Sequence, residues 1–309
     1  MNSPDILGTI VQMGALILCG LGWRILKPAG LEAVETRKVL TSLVYYLLLP
    51  ALVLAVLWRT PLGLDSLRIS FVAAGGILLG MSLTWLGCRL CASPPAMMGA
   101  MILAAAFPNA TYMGLPVLQK LFGEAGRGIA VQYDLFACTP LLLTLGVLTA
   151  RHFGQGQGGN PLPDLLKVPP LWAAIVAIGL NLTAVPFHPW VADGLNLLAA
   201  GVVPLMLFSL GLSLRWDTWR LSQMPALALV SLVQMFLIPL FVWGLGTWIG
   251  LEGIYHQGAV LEAAMPSMVL GLVLCDRFRL DSGLYAAAVT LTTALSLVTL
   301  PFWYGLLNA

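Results

Sequence analysis

Charge is what this chain lacks most. Only 9% of its 309 residues are Asp, Glu, Lys or Arg, and 59% are hydrophobic. A soluble domain carries roughly 25% charged residues. With a mean hydropathy of +0.92, the composition is that of an integral membrane protein. A net charge of +2 with no basic run or acidic tail excludes nucleic acid as a partner, because phosphate binding needs clustered cations. There is also no phosphate loop, nucleophile elbow or zinc signature, so neither ATP-driven pumping nor hydrolysis is expected. The chain reads as no enzyme, with no cofactor beyond a possible coupling ion, H+ or Na+. Its five cysteines (Cys19, Cys88, Cys91, Cys138, Cys275) lie in or beside apolar spans. Cys88 and Cys91 are separated by two residues, but no second pair or histidine completes a metal site. His152, His188 and His256 share no ligand spacing. The opening "MNSPDILG" has no basic start and no small-residue cleavage site, so a removed signal peptide is not expected.

Long apolar runs are what is present. About 20 such residues span a bilayer as a helix, and ten runs qualify: 5–26, 35–58, 66–90, 94–122, 125–150, 168–187, 190–214, 224–250, 256–275 and 282–307. The linker "HFGQGQGGNPLPD" is too rich in glycine and proline to pack a core. It separates five runs from five, giving residues 1–150, a linker at 151–167, and residues 168–309. With the N-terminus outside, the inner ends of the runs carry Arg24, Lys27, Arg37, Lys38, Arg89, Arg151, Lys167, Arg215, Arg220, Arg277 and Arg279. The outer ends carry only Arg59, Arg68, Lys120 and Arg127. That asymmetry sets both termini outside and the linker in the cytoplasm. Five runs is an odd number, so the halves take opposite orientations. The fold class expected is an all-α polytopic membrane protein built as a 5+5 inverted repeat.

Both halves carry prolines at corresponding places: Pro50 and Pro204 in the second run of each, Pro116 and Pro266 in the fourth. A proline removes a helix hydrogen bond and clashes with the carbonyl four residues earlier. Broken helices survive in a membrane only inside protein or beside a water-filled cavity, and paired breaks point to a transporter's binding site. Near the first break lie Asn109, Thr111, Tyr112 and Gly114; near the second lie Glu262 and Ser267. The amide, hydroxyls and helix ends make Asn109, Thr111, Tyr112, Gly114 and Ser267 candidates for holding a substrate. Two carboxylates stand deep in apolar runs, Asp134 and Glu262. Ionisable groups there are costly and default to a functional role, so both are candidates for proton or ion coupling. Gln12, Gln132, Gln234 and Asn181 suit hydrogen bonds between helices. Trp58, Trp190, Trp216, Trp219 and Trp303, near run ends, suit the interfacial belt.

The stretches "FPNATYMGLPVLQKLFG", "LLLPAL" and "LEAAMPSMVLGLVLCDRF" with the later "TLP" resemble the auxin efflux carrier family across the whole chain. The resemblance implies a ten-helix fold like that of the bile-acid symporters, with a scaffold that can dimerise and a transport domain. Two helices of that domain cross at their prolines, which implies Pro116 and Pro266 here. It implies a small organic anion as substrate, a mono- or dicarboxylate or an auxin-like acid, with Asn109 at its carboxylate. The short linker resembles bacterial members, implying an inner-membrane location. Two departures stand out: Pro108 directly before Asn109, and Glu262 where plant members carry glutamine.

The function expected is therefore secondary transport of a small organic anion by alternating access, driven by protons or the membrane potential. The alternatives are a sodium-coupled symporter of the same fold and a membrane sensor that moves nothing. Membrane lipid is the other expected partner, and a homodimer through the scaffold helices is possible within this reading.

Overall fold

A computed structural model describes residues 6–60, 62–154, 168–214 and 223–308. Most of the expected linker, with Lys167, Arg215, Trp216, Trp219 and Arg220, lies outside them. Among the described residues the chain is helical throughout, apart from one isolated antiparallel bridge between Pro108 and Ser267. In chain order the helices are α1 (Ile6–Leu26), α2 (Ala33–Leu57), α3 (Leu64–Leu90), α4 (Pro95–Ala106) and α5 (Ala110–Phe153). They continue as α6 (Pro169–Leu182), α7 (Pro189–Ser213), α8 (Met224–Trp248), α9 (Gly253–Ala263), α10 (Gly271–Phe278) and α11 (Ser282–Leu307). Six of them (α2, α3, α5, α7, α8 and α11) are long and apolar enough to cross a membrane. The outer surface is itself oily: Leu18, Val39, Leu67, Leu197, Leu240 and Val298 all stand exposed. In water such a surface would aggregate, whereas lipid accepts it.

α5 is too long for one crossing at 1.5 Å per residue, and Gly123 divides it. Its φ of 62° lies in the left-handed region that glycine enters at little cost. Beyond it the chain folds back, so that the Cα of Gly126 packs against the carbonyl of Leu118. α5 is thus a tight hairpin with a first arm (110–122) and a second arm (124–153).

The prolines inside the helices are accommodated by a recurring device. Pro50, Pro116, Pro140 and Pro239 each follow a five-residue π-turn by two positions: Val44–Leu48, Ala110–Gly114, Asp134–Cys138 and Val233–Leu237. The residue after each turn bonds five back, as Leu115 does to the carbonyl of Ala110. The widened turn takes the carbonyl four residues before proline out of the ring's path. At Pro239 that carbonyl, Met235 O, is captured by the Trp303 indole at 2.8 Å. Trp303 is buried, so it anchors the core and does not belong to the interfacial belt. Trp190, by contrast, is exposed.

These turns correct the expectation that Pro50 and Pro116 break helices, whereas near Pro204 the helix does step, at Gly201. Pro50 lies within α2 and Pro116 within the first arm of α5. Pro204 lies within α7, just past a one-residue step at Gly201. The two wider interruptions lie elsewhere. One runs from Phe107 to Asn109 between α4 and α5, the other from Ala264 to Leu270 between α9 and α10. Pro266 falls in the second as expected; the first contains Pro108, eight residues before Pro116. Gly75, Gly76 and Gly80 of α3 meet α8 side chains and, at Gly80, the backbone of α4. This is the close helix packing that small residues permit.

Candidate functional site

The two interruptions meet. Asn109 N–H donates to the Pro266 carbonyl at 2.8 Å, and Met268 N–H donates to the Phe107 carbonyl at 2.9 Å. A helix that loses its own ladder at proline must pair its backbone elsewhere, and here each broken segment pairs with the other. The crossing is therefore at Pro108 and Pro266–Ser267.

Several side chains hold the crossing in place. Gln234 of α8 donates its amide to the carbonyls of Met265, in the interruption, at 2.8 Å and Ala263, the last residue of α9, at 3.3 Å. Ser267 N–H donates to the Thr292 hydroxyl at 3.1 Å, and the Tyr285 hydroxyl donates to the Met268 carbonyl at 2.6 Å. The Cys138 thiol points at the Pro108 carbonyl at 3.8 Å. Gln234 thus plays the interhelical part expected of it. Ser267 does not fit the substrate role: it is fully buried and turned toward Thr292 of α11, while its neighbours Met268 and Leu270 face the adjoining cavity.

That cavity, about 60 Å³, is lined by Asn109, Thr111, Tyr112, Asp134, Thr139 and Tyr45, among others. Asn109 sits at the head of the first arm of α5. Its carbonyl accepts from Met113 and Gly114 N–H; the residue is 1% exposed, and its buried side-chain Nδ2 has no partner among the described residues. A buried amide donor left unpaired costs about 1–3 kcal/mol, and an acceptor in the cavity would remove that cost. The free N–H groups of the first helical turn lie beside it, the favourable end for an anion.

Asp134, on the second arm, faces the same cavity. Its carboxylate accepts hydrogen bonds from the Thr111 hydroxyl and, at 2.9 Å, from the Thr139 hydroxyl. The π-turn at Asp134–Cys138 brings residues five apart onto one face, so Thr139 reaches back to Asp134. Sequence reading missed Thr139 and Tyr45. The Tyr45 hydroxyl carried no signal, but a threonine five residues after a buried aspartate and just ahead of a proline could have been noticed.

Glu262 is placed differently. It is fully buried near the end of α9, and neither carboxyl oxygen has a partner among the described residues. It presses on the Cα of Gly114, where an added Cβ would stand 2.5 Å from its Cδ and nearer still to both oxygens. Gly114 therefore makes room for Glu262; it does not line the cavity. The structure thus brings Asn109, Thr111, Tyr112 and Asp134 to one cavity, with Glu262 packed against the first arm at Gly114. No group of three or more potential metal ligands occurs among the described residues.

Comparison with known proteins agrees with the geometry. The family model described as "Membrane transport protein" matches residues 7–156 and 162–304. A Methanothermobacter thermautotrophicus protein named "Uncharacterized transporter" is 32% identical over 96% of this chain and 97% of its own length. A Methanocaldococcus jannaschii "Uncharacterized transporter" is 28% identical over 95% and 96%. The Escherichia coli "Uncharacterized transporter YfdV" is 23% identical over 76% and 77%.

Proposed function

From the premise that the chain belongs to the membrane transport protein family, that of the auxin efflux carriers, we propose that it is a secondary transporter of a small organic anion working by alternating access. One observation carries this reading: a buried Asn109 whose side-chain nitrogen has no partner among the described residues, at a helix head lining a cavity where two broken helices exchange backbone hydrogen bonds. An amide donor and helix N–H groups suit a carboxylate, and Thr111 and Tyr112 complete that side of the site.

In this reading the chain crosses the membrane ten times in two inverted sets of five, 1–150 and 168–309, joined by a cytoplasmic segment. The hairpin at Gly123 and the split of α9 from α10 fit that count. The present cavity has room for only a few waters. Loading therefore requires the body carrying the crossing to move against α2 and α6, whose Tyr45, Leu49 and Pro170 complete the cavity wall.

Asp134 is the carboxylate placed to exchange protons with the site, since it lines the cavity and binds Thr111, a neighbour of Asn109. Glu262 can change its charge only when the crossing itself opens. In proteoliposomes, uptake of radiolabelled mono- and dicarboxylates should saturate and should accelerate under an imposed proton gradient. Asp134→Asn should remove that acceleration and leave slow, gradient-independent exchange; Glu262→Gln reads the other carboxylate in the same assay. Acceleration by a sodium gradient alone would favour the sodium-coupled alternative, and no uptake of any carboxylate would defeat the proposal.

A further inference from the structure

A second, much larger cavity takes no part in the account above. It is about 860 Å³ and is lined by Arg59, Lys120, Arg127, Glu124 and Gln119, with Pro116 on its wall. Pro116 ties it to the site, because the first arm of α5 faces the crossing cavity at Thr111 and this one at Pro116, under two helical turns apart. Leu115, the residue before Pro116, lines with Val53 and Leu49 a void of about 10 Å³ that shares Thr111 and Asp134 with the crossing cavity.

The charges here are not those of an idle surface. Arg127 is 8% exposed, and its Nε is buried with no partner among the described residues. Its ion pair among the described residues, 2.8 Å to Glu124, is with a carboxylate that is 78% exposed and free to swing away. The Arg59 guanidinium is held over the Phe187 ring at 4.1 Å. Lys120 is exposed and in no ion pair among the described residues. On the orientation drawn from the sequence, basic residues are scarce on this side: Arg59, Arg68, Lys120 and Arg127. Arg68 is paired with Asp65 at 3.0 Å, and the other three converge on this one cavity.

We infer that this cavity is a loading site for the transported anion, in which Arg127, Lys120 and Arg59 hold one or two carboxylates before or after passage through the crossing. The inference rests on the transport reading for its purpose but adds a separate site. Three cations facing one carboxylate in a recessed wall concentrate small anions from solution. Arg127, fixed and partly unpaired, offers a planar fork suited to a carboxylate. The Leu115 layer would then be the barrier that separates the loading site from Asn109.

The test reads the cavity directly. In a background of Cys19→Ser and Cys91→Ser, a Gln119→Cys thiol is labelled by methanethiosulfonates bearing either a sulfonate or a trimethylammonium group. The sulfonate reagent should react faster, and Lys120→Gln or Arg59→Gln should each lower the rate ratio by about fivefold. Lys120→Arg should restore it. In phosphatidylcholine nanodiscs, oxalate, malonate, succinate or glutarate should slow labelling, while neutral succinamide should not. A ratio indifferent to Lys120 and Arg59 would overturn the inference. So would equal protection by succinamide, or protection that appears only with added phosphatidylglycerol, which would assign the site to lipid headgroups. Labelling does not require transport, so if uptake proceeds without carboxylate protection, only the loading site falls.

Discussion

Alanine at Gly114 should abolish uptake and destabilise the folded protein by about 3 kcal/mol, the upper range for overpacking a filled interior. The new methyl would occupy space already held by the Glu262 carboxyl. Neither side can yield easily. Glu262 is fully buried one residue before α9 ends, and Gly114 closes the π-turn that accommodates Pro116. Displacing the first arm would also shift Asn109, whose carbonyl accepts the Gly114 N–H. The check is a thermal melt in detergent together with proteoliposome uptake. The Gly114→Ala/Glu262→Ala double variant should recover most of the lost thermal stability, because the obstructing carboxyl is gone. A Gly114→Ala protein with normal stability and transport would mean that this close approach does not matter.

Gln234→Met should have an effect of similar size for a different reason. Methionine keeps the volume but removes the amide that serves the carbonyls of Ala263 and Met265. Two buried acceptors would then lack their donor, at a cost of about 2–4 kcal/mol together. Those carbonyls belong to the segment that receives the Asn109 N–H through Pro266, so the crossing should loosen as well. The expected result is a lowered melting temperature and loss of uptake. Preserved values for both would show that the broken helix is held by other contacts.

The membrane class, the helical character of the chain and the existence of two interrupted helices were legible in the sequence, because hydropathy and proline act locally. The position of the first interruption was not. Pro116, in "MGLP", looks like the break, yet a π-turn at Ala110–Gly114 carries the helix past it. Pro108 breaks the chain because the Asn109 N–H is taken by Pro266, a partner far away in sequence. The two breaks then correspond as "FPN" and "MPS", and the proline before Asn109 is the counterpart of Pro266. Ser267 shows the same limit: a serine beside a broken helix reads as a ligand until tertiary packing turns it toward Thr292. Asp134 and Glu262 were both conspicuous as buried carboxylates. Only packing distinguishes one that faces a cavity with two hydroxyl donors from one sealed against a glycine.

The basic cavity was hidden for another reason. Arg59, Lys120 and Arg127 were visible only as the small outer share of the positive charge. Their convergence depends on the hairpin at Gly123, which sets Lys120 on one arm of α5 and Arg127 on the other.

The most direct measurement is carboxylate binding and uptake by Asn109→Ala beside the unaltered protein, both in defined lipid and both verified by thermal melt. Removing an unpaired buried donor should leave the fold at least as stable. It should weaken carboxylate affinity by about tenfold or more, the loss of a hydrogen bond to a charged group, and uptake should fall with it. If Asn109→Ala binds and transports carboxylates as the unaltered protein does, the crossing is not where the anion is held.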